Sequence, residues 1–396
     1  MKRKKNHPKP PSRFHAKSHA RPSGKPRSGL LNRQVEFTIE QMDALGQGVA
    51  HIDGKPCFIA KTLPGEKGKA TITRASKGVL FARMDEREVA ADNRIEPQCP
   101  HFDSCPGCHF LHTDYESELG YKRDALSGHL KRLNLPLPEI EVLAAKERLG
   151  YRNRIQLHYR HKYIGMIDPV ADSVLEIPQC QVIDEQLRPT FDGLYQQREW
   201  TSDHSGQGHC ELYLTPQGVS VEWDRPYAHG GFTQVNRAMN DVLRKAVLDQ
   251  VGDMALHSLL DLFSGEGNLS ELLAAENTDM ARVMVDYAPE RVKQEELSFI
   301  HLDLFADTAL RTFRARCKQE QFDVLLVDPP RKGFPALSQW VAAYKPKKMI
   351  YVSCNAATMV RDLQQLGDAA RIEHVSMIDL FPATHHYETL VTVTFP

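Results

Sequence analysis

No stretch of this chain approaches the roughly eighteen apolar residues that a membrane-spanning helix needs. A membrane span is therefore not expected. The basic start is not followed by an apolar segment either, which argues against a secretory leader. Net charge is nearly absent, −1 overall, and no internal repeat is found in the 396 residues. Eight cysteines occur without a secretory signal. They are expected as reduced thiols or metal ligands in the cytoplasm.

The first 34 residues lack acids altogether, yet they hold eleven Lys and Arg between Lys2 and Arg33. The rest of the chain keeps 39 basic against 51 acidic residues, a balance of −12. The tail is also rich in Pro, Ser and His, so it cannot bury enough apolar surface to fold alone. Such an arm draws nucleic acid by counterion release, without reading sequence. RNA is the expected partner, with no membrane role, and the chain is expected to be a monomer.

From Val35 to about residue 91 short alternating segments are broken by glycine: Glu36–Ile39, Gly48–Ile52, Cys57–Ala60, Lys69–Thr73 and Val79–Arg83. Turns fall at Asp53-Gly54 and Pro64-Gly65. Five such strands predict a small β-barrel of the oligonucleotide-binding type. The stretch LGQGVAHIDGKPCFIAKTLPGEKGKATI resembles the TRAM domain, an RNA-binding barrel. Residues 92–230 are expected to form a central α+β domain, with a helix from Tyr115 to Leu133 and strands near Ile155–Tyr159, Ser173–Ile177 and Cys210–Leu214. Over 231–396, helices alternate with the apolar runs Ser258–Leu262, Arg282–Val285, Val324–Val327, Met349–Val352 and Leu390–Phe395. That alternation predicts a doubly wound parallel α/β sheet.

Cys99, Cys105 and Cys108 lie within CPHFDSCPGCHF, and Cys180 follows in IPQCQVID. Free thiols packed so closely are costly, so shared ligation is the natural reading. Four thiolates suit structural zinc or an iron–sulfur cluster. The three-plus-one spacing is closer to [4Fe–4S], and His101, His109 or His112 are alternative fourth ligands. Cys57, Cys210 and Cys317 stand alone and read as packing residues.

In LLDLFSGEGNLS, Asp261 and Phe263 end a strand, and Gly265 and Gly267 occupy the turn before a helix. The turn lacks the full dinucleotide pattern and the Lys-Ser/Thr of a phosphate-binding loop. A nucleoside-type ligand is expected instead, with Asp286 at the next strand end holding ribose hydroxyls. Asp303 and Asp328 add an acid at each of the following two strand ends. Cys354 ends the apolar run Met349–Val352 where a helix begins, a position where a thiol can act as a nucleophile.

Gln234 in GFTQVN, together with DLFSGEGN, VDPPRKGF, SCNAATMVRD and DLFPATHHYETLV, resembles the signature set of the RNA uracil-5-methyltransferase family. The resemblance runs from Val35 to Pro396. It implies a class I methyltransferase fold in which Gln234, Phe263, Asn268, Asp286, Asp303 and Asp328 line an S-adenosylmethionine pocket. It further implies that Cys354 is the nucleophile, Glu388 the proton acceptor, and Cys99, Cys105, Cys108 and Cys180 the [4Fe–4S] ligands. The barrel and the cysteines match the family's ribosomal-RNA branch, the transfer-RNA branch being expected to lack both. Four positions depart from the pattern. Asp286 stands for a usual glutamate, the helix after it is shortened between Pro289 and Leu297, Ala356 replaces a proline, and Ala383 replaces a histidine.

The implied chemistry is C5 methylation of uridine, in 23S ribosomal RNA or alternatively in transfer RNA. Cys354 would attack C6 and activate C5, and Glu388 would remove the C5 hydrogen, with His385 and His386 as alternative bases. The target is expected in a loop or flipped out, with Phe381 and Tyr387 as candidate stacking partners. Two further alternatives are amino-group methylation of a base, against which Arg331 stands in place of an aromatic residue, and a non-catalytic RNA-binding protein.

Overall fold

The computed structural model describes residues 30–168, 171–226, 233–287, 298–367 and 370–395. Most of the basic tail, residues 227–232 before Gln234, and the shortened segment 288–297 lie outside the described residues.

The N-terminal unit is a six-stranded sheet made of β1 (Gln34–Thr38), β2 (Gln41–Met42), β3 (Gln47–Ile52), β4 (Lys55–Ala60), β5 (Lys67–Ser76) and β6 (Val79–Val89). Its order is β1-β5-β6-β4-β3-β2. Asp53 and Gly54 both take positive φ (50° and 71°), the backbone that a two-residue hairpin between the Ile52 and Lys55 partners requires. Alternate residues turn inward, so Phe37, Ile59, Ala70, Ile72 and Leu80 form a separate core that includes Cys57. The strands outrun their expected ends because Lys67–Ser76 and Val79–Val89 absorb three irregularities in register.

Next come α1 (Tyr115–Leu130), which Asp114 caps by accepting from Ser117 N at 2.7 Å, and a 3-10 turn, Lys131–Leu133. A short strand, β7 (Ile140–Leu143), follows. The central unit is an antiparallel sheet of β8 (Arg154–Arg160), β9 (Tyr163–Asp168), β10 (Ser173–Leu175), β11 (Gln207–Thr215) and β12 (Gly218–Trp223), with α2 (Arg188–Gln196) inserted. Cys210 is sealed in its core.

The C-terminal unit runs α3 (Arg237–Val251), β13 (Ser258–Leu262), α4 (Glu271–Glu276), β14 (Ala281–Asp286), β15 (Ser298–His301), α5 (Ala309–Arg316), β16 (Val324–Val327), α6 (Leu337–Tyr344), β17 (Lys348–Ser353), α7 (Ala356–Gln364), β18 (Arg371–Ile378) and β19 (Glu388–Thr394). Its sheet order is β15-β14-β13-β16-β17-β19-β18-β7. β13 to β17 are parallel, and β19 runs antiparallel to both neighbours. β13 and β16 are buried at every residue, as strands covered on both faces must be.

Nothing in the amino-acid pattern marks β7. Ile140–Leu143, within the stretch assigned to the central domain, pairs in parallel with β18 and closes the C-terminal sheet. Leu126, Leu130 and Leu133 join the same core as Val327, Tyr351 and Val391. Residues 115–143 therefore pack with the C-terminal unit. Among the described residues no helix is long and apolar enough to cross a membrane, and all eight cysteines are free of disulfides.

Candidate active site

The chain leaves β13 for β14 and β15 on one side, then returns to β16 on the other. That reversal opens a crevice between the carboxyl ends of β13 and β16, where open α/β sheets bind ligands. The turn after β13 lines it. Phe263 has a φ of 62°, and Gly265 and Gly267 have 55° and 84°. A Cβ on Gly267 would stand 2.8 Å from Met284 Sδ, whereas one on Gly265 would meet only open space. The backbone is thus tight against the sheet below and free on the crevice side.

Asp286 Oδ2 accepts from Gly265 N at 2.9 Å and ties the turn to β14. Beneath the turn, Asp261 Oδ2 accepts from Ser270 Oγ at 2.6 Å, and burial pushes its carboxyl up to about 7 against the pull of that bond and of Arg282. Phe263 packs with Phe305 and Phe334, ring centres 5.4 and 5.0 Å away. Asp303 is exposed and accepts from Phe305 N at 3.0 Å. The Asn268 and Asn240 amides pair reciprocally at 2.9 Å, which leaves Asn268 one N–H and one lone pair for a ligand. Gln234 is held through its carbonyl, which accepts from Asn153 Nδ2 at 3.0 Å.

Cys354 follows the last residue of β17 and is half-buried. Ser353 is paired with Thr389 across β17 and β19, so extending that antiparallel register by one residue sets Cys354 opposite Glu388. Burial, then the Glu388 carboxylate, pushes the thiol up to about 11; the Arg331 guanidinium, which hydrogen-bonds it, pulls the other way. Glu388 is raised well above the ordinary carboxylate range by burial and then by Asp328, with Arg331 again opposing. Burial, with Asp261 and Asp286 adding, lifts Asp328 to about 7. The reactive corner is a dry group of acids and a thiol organised by one guanidinium. Arg331 was not among the sequence-derived site residues. Its signal was its place directly after Asp328-Pro329-Pro330 at a strand end.

Arg331 Nη2 also lies 3.1 Å from His386 Nδ1. Burial lowers His385 to about 4 and His386 to about 3, with Arg331 adding to both. Both rings are neutral at neutral pH. Tyr387 is buried, and Phe381 packs against the central and C-terminal cores.

The four cysteines of the expected cluster sense one another although Cys108 and Cys180 lie 72 positions apart. The Cys108 thiol is raised by burial and then by Cys180, Cys105 and Cys99 in turn. His101 Nε2 accepts from Gln179 N at 3.1 Å, which stitches the two cysteine segments together. His109 Nε2 is 3.2 Å from His385 Nδ1, and the His112 ring stacks on Phe102. Among the described residues no three Cys, His, Asp or Glu donors form a group that could hold a single metal ion.

Residues 223–394 match the tRNA (Uracil-5-)-methyltransferase family, and residues 31–84 match the TRAM domain. The chain belongs to the RNA uracil-5-methyltransferase family. Among its relatives is the 23S rRNA (uracil(1939)-C(5))-methyltransferase RlmD of Shewanella frigidimarina, 27% identical, with 92% of this chain and 96% of the relative covered. The RlmD of Shewanella sediminis is 29% identical over the same shares. The crystal structure of Pyrococcus abyssi tRNA (uracil-54, C5)-methyltransferase, in complex with S-adenosyl-L-homocysteine, has a TM-score of 0.67 at 19% identity. It covers 91% of this chain and 100% of its own, which shows the fold.

Proposed function

We propose that this chain methylates C5 of a uridine in 23S ribosomal RNA through a transient Cys354–C6 bond. The observation that carries the reading is the placement of Cys354 opposite Glu388 at the ends of adjacent strands, with Arg331 touching the thiol. Full-length likeness to RlmD enzymes supports the RNA class. The open side of the Gly265 turn, the half-buried Asp286 and the Phe263 ring fit a nucleoside-type methyl donor. Gln234, Phe263, Asn268, Asp286, Asp303 and Asp328 would hold it. S-adenosylmethionine supplies a methyl group activated by its sulfonium.

Arg331 favours the Cys354 thiolate, whose sulfur bonds to C6 while the C5=C6 electron pair moves to C5. C5 takes the methyl group as the donor's S–CH3 bond breaks. Glu388 then accepts the C5 proton, the C5=C6 bond re-forms, the S–C6 bond breaks and the thiolate returns. Glu388 suits this step better than His385 or His386. Its raised carboxylate is a stronger base than imidazoles depressed to about 4 and about 3.

Cys99, Cys105, Cys108 and Cys180 would hold a [4Fe–4S] cluster. Four thiols that sense one another, spaced three-plus-one along the chain, are the donor set such a cluster would need. When bound, the cluster would join two chain segments, since the reaction itself is redox-neutral. Iron and sulfide analysis of protein purified without oxygen should find about four of each per chain; zinc instead would overturn this assignment. The enzyme is read as a cytoplasmic monomer.

Mass analysis of nucleosides from a strain lacking the protein tests the substrate. Loss of 5-methyluridine from 23S ribosomal RNA supports the reading, and loss from transfer RNA alone replaces it with the alternative.

A further inference from the structure

The loop between β18 and Glu388 is held largely from outside. Lys122 Nζ donates to Asp379 Oδ1 at 2.7 Å and to the Phe381 carbonyl at 3.3 Å. The Pro382 carbonyl accepts from Tyr151 Oη at 3.0 Å. Ala383 N donates to Glu118 Oε1 at 2.7 Å, and its carbonyl accepts from His109 N at 2.7 Å and Phe110 N at 3.0 Å. Each of these partners lies in residues 109–151.

The charges behind these bonds are buried and matched. Glu118 Oε1 also accepts from Lys122 Nζ at 2.6 Å, and Oε2 accepts from Arg148 Nε at 2.9 Å. Asp379 Oδ2 accepts from Tyr115 Oη at 2.7 Å. The Glu118, Lys122 and Asp379 side chains are at most 1% exposed. Buried ion networks of this kind rarely out-stabilise a well-packed apolar set. What they supply is a single allowed geometry. Here that geometry includes Ala383 at a φ of 65°, a left-handed backbone that a non-glycine residue holds only when its surroundings impose it. From there Thr384 Oγ1 donates to the Phe381 carbonyl at 2.8 Å and accepts from His386 N at 3.2 Å, two residues before Glu388.

We infer that Glu118 and Lys122 on α1 are positioning residues for proton removal at C5, acting by fixing the 379–387 loop that delivers Glu388. The inference rests on the reading of Glu388 as the base. It assigns the two residues to the second half of the reaction, after methyl transfer, because the first half is built on β17 and the Arg331 turn.

The test uses full-length protein and a 23S ribosomal RNA transcript carrying 5-tritiated uridine, with methyl-labelled S-adenosylmethionine. Methyl incorporation and tritium release are followed separately, and covalent protein–RNA adduct is read on denaturing gels. The variants are Glu118→Gln, Lys122→Met and the charge-balanced Lys122→Met/Asp379→Asn, beside Glu388→Gln and Cys354→Ala. Glu118→Gln keeps the side-chain volume and leaves the Lys122–Asp379 pair intact, so it reports even if the lysine variants fold poorly. Tritium release is expected to fall on the order of 10- to 100-fold relative to methyl transfer, the scale of a misplaced catalytic group, with adduct accumulating. Parallel loss of both labels without adduct, while Glu388→Gln still traps adduct, overturns the inference and leaves the base in place. Failure of Glu388→Gln itself to trap adduct overturns the base assignment instead.

Discussion

Asn355 Nδ2 donates to the carbonyl of Arg331 at 2.9 Å, so the helix that follows Cys354 grips the turn that carries the guanidinium. Thr358 Oγ1 adds a second bond to the same carbonyl at 3.2 Å. Cys354 and Arg331 are thereby registered by backbone and not by their side chains alone.

This arrangement has a pH consequence. The thiol sits near 11 with Arg331 holding it down, so at neutral pH the thiolate is the minor form. Its fraction rises with pH until the folded-state value is passed. The methylation rate is expected to climb on the alkaline side for the native protein. In Arg331→Met the climb moves to higher pH, and the rate at neutral pH falls about tenfold or more as the thiolate becomes scarcer. A pH profile of kcat/KM measures both, and an unmoved alkaline limb would remove Arg331 from thiol activation.

Cys354→Ala removes the sulfur without touching the β13 turn. Methylation should vanish while S-adenosylmethionine binding by calorimetry stays within about twofold, since the thiol is not among the proposed cofactor residues. Residual methylation would end the covalent reading.

Asp286→Asn keeps size but removes the charge that faces Gly265 N. Loss of a charged hydrogen bond costs about 1.5–3 kcal/mol. Cofactor affinity is expected to fall roughly 10- to 150-fold, and RNA affinity to be unchanged in a filter-binding assay. Equal affinity for the cofactor would place the ribose elsewhere.

Gly267→Ala asks for a left-handed alanine with its Cβ 2.8 Å from Met284 Sδ. The strained backbone alone costs about 1–3 kcal/mol. A lowered melting temperature together with weaker cofactor binding is the expected pair of results. Native-like melting would mean that the turn relaxes freely.

Much of this site was legible because strand ends announce themselves. Val324–Val327 is a continuous apolar run and Ser258–Leu262 a mostly apolar one, each followed by residues suited to a crevice, and their observed bounds equal the expected ones. Cys354 and Glu388 were legible as separate motifs, but their facing one another depends on β19 running antiparallel beside β17. Only the three-dimensional register states that. Ile140–Leu143 gave no periodic signal, being four residues long and half-buried at an edge. Its identity as a strand comes from its partner, β18. The Glu118–Lys122 network was illegible for a related reason. Two charges four apart on a helix ordinarily read as a solvated pair, and burial by a loop more than 250 residues away reverses that meaning.

The strand at Ile140–Leu143 also limits how this polypeptide can be divided. A fragment beginning near residue 231 would carry every signature motif of the methyl-transfer chemistry yet leave the β18 edge bare, with unsatisfied amides ready to recruit another copy. The N-terminal unit has its own inward core, yet Lys61 donates to the Phe102 and Cys105 carbonyls and ties it to the cysteine segment. From that segment onward the chain is threaded through itself, His109 and Phe110 donating to the Ala383 carbonyl, so an engineered swap would have to cut ahead of Cys99 and carry everything after it as one piece.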